Sequence, residues 1–461
     1  MKKVLATVAA LGLVLGVTAN ALALDQPGRA SEVESTTAPR VAQPTAPGVA
    51  LWSVAGQWVL AGALFQNGLG LPGGASLNDQ TGTDAFYIYS FKILPTLQVN
   101  DKISMEAEFR FADRDVFGAT DTSLFQVDGT SKAGRMIDTY TLWMNWVSPF
   151  GKTQFGRMPA GAWGTKFLNN STQGNRLRWY PNMLPENWGS LIFMQKVTET
   201  DAASEASDQD NDAYYVDLSY KAPFGKTTGA LWAVRRASNG AVDPYTTTNF
   251  WLTGNYAFDA LSFEYELNMA FGDASPTEDA SAFGFYGDLG WKMQDWQLGG
   301  LFIYASGDDD PTDTDVKSMM SNANGTGKDF NPSQILFGDY MRILNGDMGG
   351  LSPDSINDSI KTGTGANAGV MAFQGYAKFA LSPSLSFSGD LTYAMADKEP
   401  TGYDSDYGFE AGVGMAYKLM DNLTYNAHFS YLWTGDYFKE GVSGANVENV
   451  YLLAHALSMS F

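Results

Sequence analysis

Charged side chains occupy every second position of several short segments, and this spacing puts them on one side of an extended chain. When such a surface faces water, its carboxylates and guanidinium groups can attract, repel or orient ions and dipolar solutes. The clearest members of this set are Glu106, Glu108, Arg110, Glu264 and Glu266. Both signs of charge are present, so the sequence predicts a mixed polar lining.

Aspartates outside these segments form two acidic clusters. The clusters comprise Asp208, Asp210 and Asp212, and Asp308, Asp309 and Asp310. Flexible carboxylates are the ligands that Ca²⁺ prefers, although neither cluster has the spacing of the helix-loop-helix calcium site. We interpret both clusters as solubilising loop charge, with Ca²⁺ binding as the alternative. No other cofactor and no firm metal site are expected.

Residues that commonly carry catalysis are scarce. The chain has no cysteine and two histidines, His428 and His455, so thiolate sites and multi-haem ligation by this chain are excluded. The Gly-x-Ser-x-Gly motif of a nucleophilic serine does not occur. The net charge of −21 argues against a nucleic-acid partner. We therefore expect no enzymatic activity, and the role of His455, which falls on an apolar face, stays open.

The alternating pattern also predicts the secondary structure. In residues 261–271, 385–395 and 423–433, apolar and aromatic side chains alternate with polar ones. Each segment has about 9–11 residues, the length with which a tilted strand crosses a bilayer. Strands of a soluble sandwich alternate too, but these apolar faces are long, numerous and rich in aromatic residues. The sequence predicts an all-β fold, a transmembrane antiparallel β-barrel.

The connections between these segments are alternately short and long. The segments at 100–102, 148–151 and 420–422 read as tight turns, whereas the connections at 273–280 and 308–368 read as long. Membrane barrels place short turns on the periplasmic side and long loops outside. Counting strands between the connections predicts about 18 strands, or about 16 if residues 176–180 and 191–197 are not two strands.

The two ends of the chain carry signals of their own. Residues 1–23 combine two lysines, an apolar stretch and the Ala21-Leu22-Ala23 cleavage motif of a secretory signal peptide. Residues 24–50 are rich in Pro, Ala, Ser and Thr and are expected to form a flexible periplasmic lead. Residues 51–461 are the predicted barrel, whose last strand closes against the first. Export together with a barrel predicts the outer membrane of a Gram-negative cell.

The segment Phe155-Gly156-Arg157-Met158-Pro159 precedes the third long connection, around residues 159–175. In this layout the chain resembles trimeric general porins of Gram-negative bacteria. The Gly-Arg-Met-Pro segment and the run Ala55-Gly56-Gln57-Trp58 look like those of delta-proteobacterial porins. The resemblance implies a third connection folded into the lumen, with Arg157 and Lys166 at its eyelet. The Pro-Glu-Phe-Gly-Gly run of enteric porins is absent from this connection.

The same resemblance implies particular partners. They are outer-membrane lipid and lipopolysaccharide, two further copies in a homotrimer, and the barrel-assembly machinery. In barrels of this class that machinery recognises the end of the last strand, where Leu457, Met459 and Phe461 share one face.

Taken together, these features predict a passive diffusion channel for small hydrophilic solutes and ions. The net charge of −21 favours mild cation selectivity. Two alternatives stay open. One is a channel selective for one class of solute, and the other is the barrel sheath of a porin-cytochrome electron conduit, in which any haem would belong to the partner.

Overall fold

One twenty-stranded sheet makes up most of the residues that the computed structural model describes. The structure describes residues 51–66, 83–116, 137–159, 165, 167–168, 173–199, 210–236, 243–308, 310, 312–319, 332–337, 368–439 and 448–461. The predicted signal peptide and periplasmic lead lie outside these residues. No helix in the described part is long and apolar enough to cross a membrane.

The strands follow one another along the chain. They are β1 (Leu51–Gln66), β2 (Thr83–Gln98), β3 (Ile103–Val116), β4 (Asp138–Ser148), β5 (Gly151–Met158), β6 (Gly174–Pro181), β7 (Trp188–Gly189), β8 (Ile192–Thr198), β9 (Asn211–Ala222), β10 (Gly225–Arg236), β11 (Tyr245–Phe258), β12 (Leu261–Ser275), β13 (Glu278–Met293), β14 (Trp296–Ala305), β15 (Asp315–Val316), β16 (Val370–Ser382), β17 (Leu385–Met395), β18 (Asp406–Met420), β19 (Leu423–Thr434) and β20 (Val450–Ser460). Among the described residues, Asp436–Lys439 form a short 3₁₀ helix after β19.

Eighteen of these strands form a closed antiparallel barrel, while β7 and β15 are two-residue additions to it. The last strand closes the barrel by pairing with both β19 and β1. At the end of the chain, Gly56 N–H donates to Phe461 O at 2.8 Å and Phe461 N–H donates to Gly56 O at 3.0 Å. The predicted barrel fold is therefore confirmed.

The two strands that decide between 16 and 18 are present. Residues 176–180 lie in β6 and residues 191–197 lie mostly in β8, and β6 pairs with β8. The barrel accordingly has 18 strands. The long connection predicted at residues 273–280 is wrong, because the β12–β13 ladder continues past a bulge to Ser275 opposite Glu278.

Alternation sorts the side chains into an outer and an inner surface. On β12, Met269 and Phe271 are exposed and point outward, whereas Glu266 and Asn268 are buried inside the barrel. His455 lies on the outer surface, with its ring edge-on to that of Tyr87 at 5.5 Å. An apolar exterior and a polar interior are what a strand needs when lipid lies on one side and water on the other.

Closure depends on a glycine at the seam. A side chain at Gly56 would collide with the aromatic ring of Phe461. We expect Gly56→Leu to displace this ring and to lower the free energy of unfolding by about 1–3 kcal/mol, as overpacking does elsewhere. Urea unfolding of the detergent-folded barrel, followed by its heat-dependent gel mobility, measures the change.

Gly375→Leu is the matched control. Gly375 lies on the exposed outer surface of β16, where an added Cβ would meet no heavy atom within 4 Å. An equal loss of stability in both variants would contradict the specific role of Gly56.

Candidate functional site

The inner surface near β3 brings together the predicted lining residues of that strand. Arg110 Nε lies 2.6 Å from Glu108 Oε1, and Lys92 Nζ lies 3.9 Å from the same oxygen. Asn145 Nδ2 donates to Glu106 Oε1 at 2.7 Å. Both carboxylates are therefore fixed by neighbouring polar groups, as expected of a wall whose charges are ordered.

Glu266 on β12 binds a distant part of the chain. Its carboxylate accepts the backbone N–H groups of Thr165 and Leu168, each at 3.2 Å, and the side-chain amide of Asn268 at 2.7 Å. Thr165 and Leu168 belong to the connection between β5 and β6, which is not next to β12 in the sheet. These contacts place the described part of that connection against the inner wall, where the third connection is predicted to lie.

Glu264, the other predicted residue of β12, has a different environment. It is half-buried, and Asn255 Nδ2 donates to its Oε1 at 3.3 Å. This hydrogen bond links Glu264 to the neighbouring strand β11, whereas Glu266 binds the inward connection. The two glutamates therefore share a face of one strand but have separate tasks.

Glu410 on β18 binds a second inward segment. Its carboxylate accepts the N–H groups of Gln334 at 2.9 Å, Ile335 at 3.1 Å and Leu336 at 2.8 Å. These three residues lie in the long connection between β14 and β16. Alternation puts Glu410 on the inner face, but no sequence signal distinguishes it from other inward acids, because its partners are far away in the chain.

The two inward segments share one apolar cluster inside the barrel. The fully buried side chains that they and the start of the second connection contribute are Phe167, Leu168, Met319, Ile335, Leu336 and Phe337. The wall beside them carries small residues, namely Ala270, Ala282, Ala305, Ala372 and Ala394. Small wall residues leave the space that the larger side chains fill, so the barrel is narrowed at this level.

Arg176 and Arg178 on β6 form a buried basic pair on the inner wall. Arg176 Nε donates to Gln195 Oε1 at 2.7 Å, and the two guanidinium carbons lie 5.4 and 5.7 Å from the ring centroid of Phe193. The Phe193 ring in turn stacks on Tyr215 at 4.6 Å. This pair is not among the predicted lining residues, although its spacing of two in a predicted strand is a signal that indicates it.

Arg157 does not line the lumen, so the eyelet position predicted for it is wrong. It has the same strand parity as Phe155, which is 62% exposed, and pairs across the ladder with Leu142, which is 46% exposed. Both neighbours belong to the outer surface. Arg157 Nε donates to the carbonyl of Tyr140 at 2.9 Å. Lys166, the other predicted eyelet residue, lies outside the described residues.

Each described aspartate of the two acidic clusters has at least one polar or charged neighbour within the protein. Lys196 Nζ lies 2.5 Å from Asp210 and 3.2 Å from Asp212. Asp308 accepts the N–H of Asp310 at 3.1 Å, and hydrogen bonds from Thr312 hold the pKa of Asp310 below its usual value. Within the described residues, no three acidic, histidine or cysteine side chains converge on a metal position.

Asp208 and Asp309 lie outside the described residues. Binding of Ca²⁺ to these clusters therefore stays a prediction.

The barrel is similar to solved structures of outer-membrane proteins. OccK9 (OpdG) from Pseudomonas aeruginosa matches with a TM-score of 0.53 and 12% identity, over 89% of this chain and 98% of that one. A BenF-like porin from Pseudomonas fluorescens Pf-5 matches with 0.51 and 11%, over 89% and 99%. The outer membrane protein opdK of P. aeruginosa matches with 0.51 and 9%, over 89% and 98%.

No protein-family model matches the sequence, and no curated protein is similar to it. The identities to the solved structures are low, so the likeness establishes the fold: this chain has the closed barrel of an outer-membrane porin. The closer resemblance to trimeric and delta-proteobacterial porins stays a prediction.

Asn249 on β11 is a buried amide, opposite Trp232 of β10 in the strand register. It is 0% exposed, and neither its Nδ2 nor its Oδ1 has a hydrogen-bond partner among the described residues. Leaving such a group unsatisfied costs about 1–3 kcal/mol. We expect Asn249→Leu, which is similar in volume and apolar, to raise the urea midpoint of the folded barrel.

Asn145→Leu provides the opposite control. Asn145 donates to Ser104 Oγ at 3.0 Å and accepts from Gln154 Nε2 at 2.7 Å, so its replacement should lower the midpoint. A loss of stability in Asn249→Leu would contradict the assignment of this amide as an unsatisfied group.

Proposed function

We propose that this chain is an outer-membrane channel through which small hydrophilic solutes and ions diffuse passively. The observation that carries the proposal is the pair of inward segments held on the inner wall by Glu266 and Glu410. Segments fixed inside a barrel narrow it at a defined level, and the bore and lining at that level select what passes. A barrel with a structural role alone would not require them.

The similar structures support this proposal. One of them carries the description of a BenF-like porin, and another is OpdK of Pseudomonas aeruginosa solved with vanillate. The predicted signal peptide at residues 1–23 would deliver the chain to the periplasm, from which barrels insert. The proposal includes the outer membrane as the location, a homotrimer as the assembled form, and lipopolysaccharide and the assembly machinery as partners.

A solute-selective channel is the second candidate, and the basic pair favours it. Arginine stays charged at every physiological pH, and Arg176 and Arg178 lie beside the aromatic ring of Phe193. A planar solute with an anionic group could use both features, through charge and through ring contact. The electron-conduit sheath has less support, because an apolar cluster occupies part of the lumen that a partner would need.

Ion preference has two opposing sources in this barrel. The net charge of −21 favours cations over the surface as a whole. The basic pair on β6 favours anions at its own level. The mild cation selectivity that the composition predicts is therefore part of the proposal, with the basic pair as a local exception.

Liposome swelling tests the diffusion function. Liposomes that contain the folded barrel should swell in solutions of small sugars and organic acids, at rates that fall steeply as the solute grows, because the narrowed lumen sorts solutes by size. Liposomes with the heat-unfolded protein are the control. Absence of swelling with every solute, and of single-channel current in planar bilayers, would sink the proposal.

The basic pair can be tested by ion selectivity. Replacing Arg176 and Arg178 together by Gln removes two positive charges from the wall and should raise the cation-to-anion permeability ratio, roughly twofold or more. The reversal potential under a salt gradient measures this ratio. Arg157→Gln, on the outer surface, removes the same kind of charge and should leave the ratio unchanged; equal shifts in both variants would contradict the assignment.

A further inference from the structure

We propose that Glu410 is the positioning residue of a second constriction segment, residues 332–337. We further propose that Glu266 and Glu410 hold the two inward segments as one coupled unit. This inference rests on the proposed channel function and deepens it, since it identifies which wall residues set the bore of the lumen.

Glu410 is suited to this task by the kind of partners it has. Three consecutive backbone N–H groups, from Gln334 to Leu336, converge on its two carboxylate oxygens. Bonds from N–H groups to a carboxylate are charge-assisted, and successive N–H groups of this kind form an anion-binding concavity. Within the described part of the chain, no ion pair joins Glu410 to a cation. The buried carboxylate and the segment therefore depend on one another.

The wall supports the segment at a second point. Gln374 Nε2 donates to the carbonyl of Pro332 at 2.6 Å and to Thr392 Oγ1 at 2.8 Å. The bond to Thr392 fixes the amide on the wall, and the bond to Pro332 connects the wall to the start of the segment. Residues 333–337 are buried throughout. The segment is thus seated on three adjacent strands, β16, β17 and β18, rather than on one side chain.

Glu266 holds the other inward segment by the same chemistry. It takes the N–H groups of Thr165 and Leu168, and it is fully buried. The wall strand β13 is shaped for this segment, because a Cβ at Gly284 would press against the side chains of Leu168 and Met319. Two carboxylates on separate strands therefore have the same role. Each accepts backbone N–H groups of an inward segment that lies outside the sheet.

The coupling follows from the shared apolar cluster. Phe167 and Leu168 of one segment and Ile335, Leu336 and Phe337 of the other are fully buried in the same cluster. If one segment left the wall, apolar surface of the other would face water in the lumen, which is unfavourable. Release of either segment should therefore loosen both.

Single-channel recording in planar bilayers tests the proposal with Glu266→Gln, Glu410→Gln and the double variant. Gln keeps the side-chain volume but removes the charge and turns an amide N–H₂ toward the N–H donors. Each single variant should raise the main conductance roughly twofold or produce frequent switching to a larger conductance, since the bore is set by the fixed segments. The double variant should add little to the larger single effect.

Glu264→Gln is the matched control, because Glu264 faces the same lumen two residues from Glu266 and accepts a hydrogen bond from Asn255 on the neighbouring strand β11. It should conduct like the unaltered chain. Glu410→Asp keeps the charge, so its conductance should lie between those of Glu410→Gln and the unaltered chain. If Glu410→Gln fails to fold, Gln374→Leu removes the bond to Pro332 while leaving β18 intact, and it should change conductance in the same direction.

The outcomes separate the two proposals. If the unaltered chain conducts and Glu410→Gln and Gln374→Leu conduct identically to it, the positioning role is overturned. If the two single effects are simply additive in the double variant, the coupling is overturned. If the unaltered chain does not conduct at all, the proposed channel function fails instead.

Discussion

Every backbone N–H and C=O group that is shielded from water must find a partner, and the rest of this structure depends on that requirement. In lipid, an open sheet would leave two unpaired edges, each costly per residue. Pairing of β20 with β1 removes both edges. Closure in turn fixes which side chains face inward, because a strand with lipid on one side and the lumen on the other has to alternate. The polar wall is thus a consequence of backbone pairing.

The same requirement operates inside the lumen, where the described inward segments of two connections leave the sheet and are buried. Their N–H groups have no neighbouring strand, and in the described residues Glu266 and Glu410 take its place. A carboxylate has several lone pairs, so one side chain can accept several N–H groups at once. In a sheet, each carbonyl of a neighbouring strand usually accepts one. Burying each charge is tolerable because charge-assisted hydrogen bonds offset much of its lost hydration. Glu266 and Glu410 therefore stabilise the inward segments and do not serve only as residues of the inner wall.

Alternation made the barrel predictable, since strand length, aromatic content and turn spacing are local properties. It failed to orient Arg157 because apolar residues flank this position on both parities, Phe155 outward and Met158 inward. The inward contacts could not be predicted at all. Thr165 and Glu266 are 101 residues apart, and Gln334 and Glu410 are 76 apart. Single-sequence patterns carry no information on pairs so distant. The small wall residues around them are explained only by the larger side chains of the inward segments, for which they leave space.

The net charge of the chain and the charge at one place on its inner wall have opposite signs in this barrel. Part of the −21 is held in loops or ion pairs, as Asp210 and Asp212 are by Lys196. Charges of that kind contribute to the field outside the barrel, where salt screens them within about 10 Å. On the inner wall, Arg176 and Arg178 are buried, at 3% and 6% exposed, and their charges lie in β6 rather than in a loop. In the proposed channel, whole-chain charge therefore acts on ions outside the barrel, and the charges of the inner wall act on ions within it.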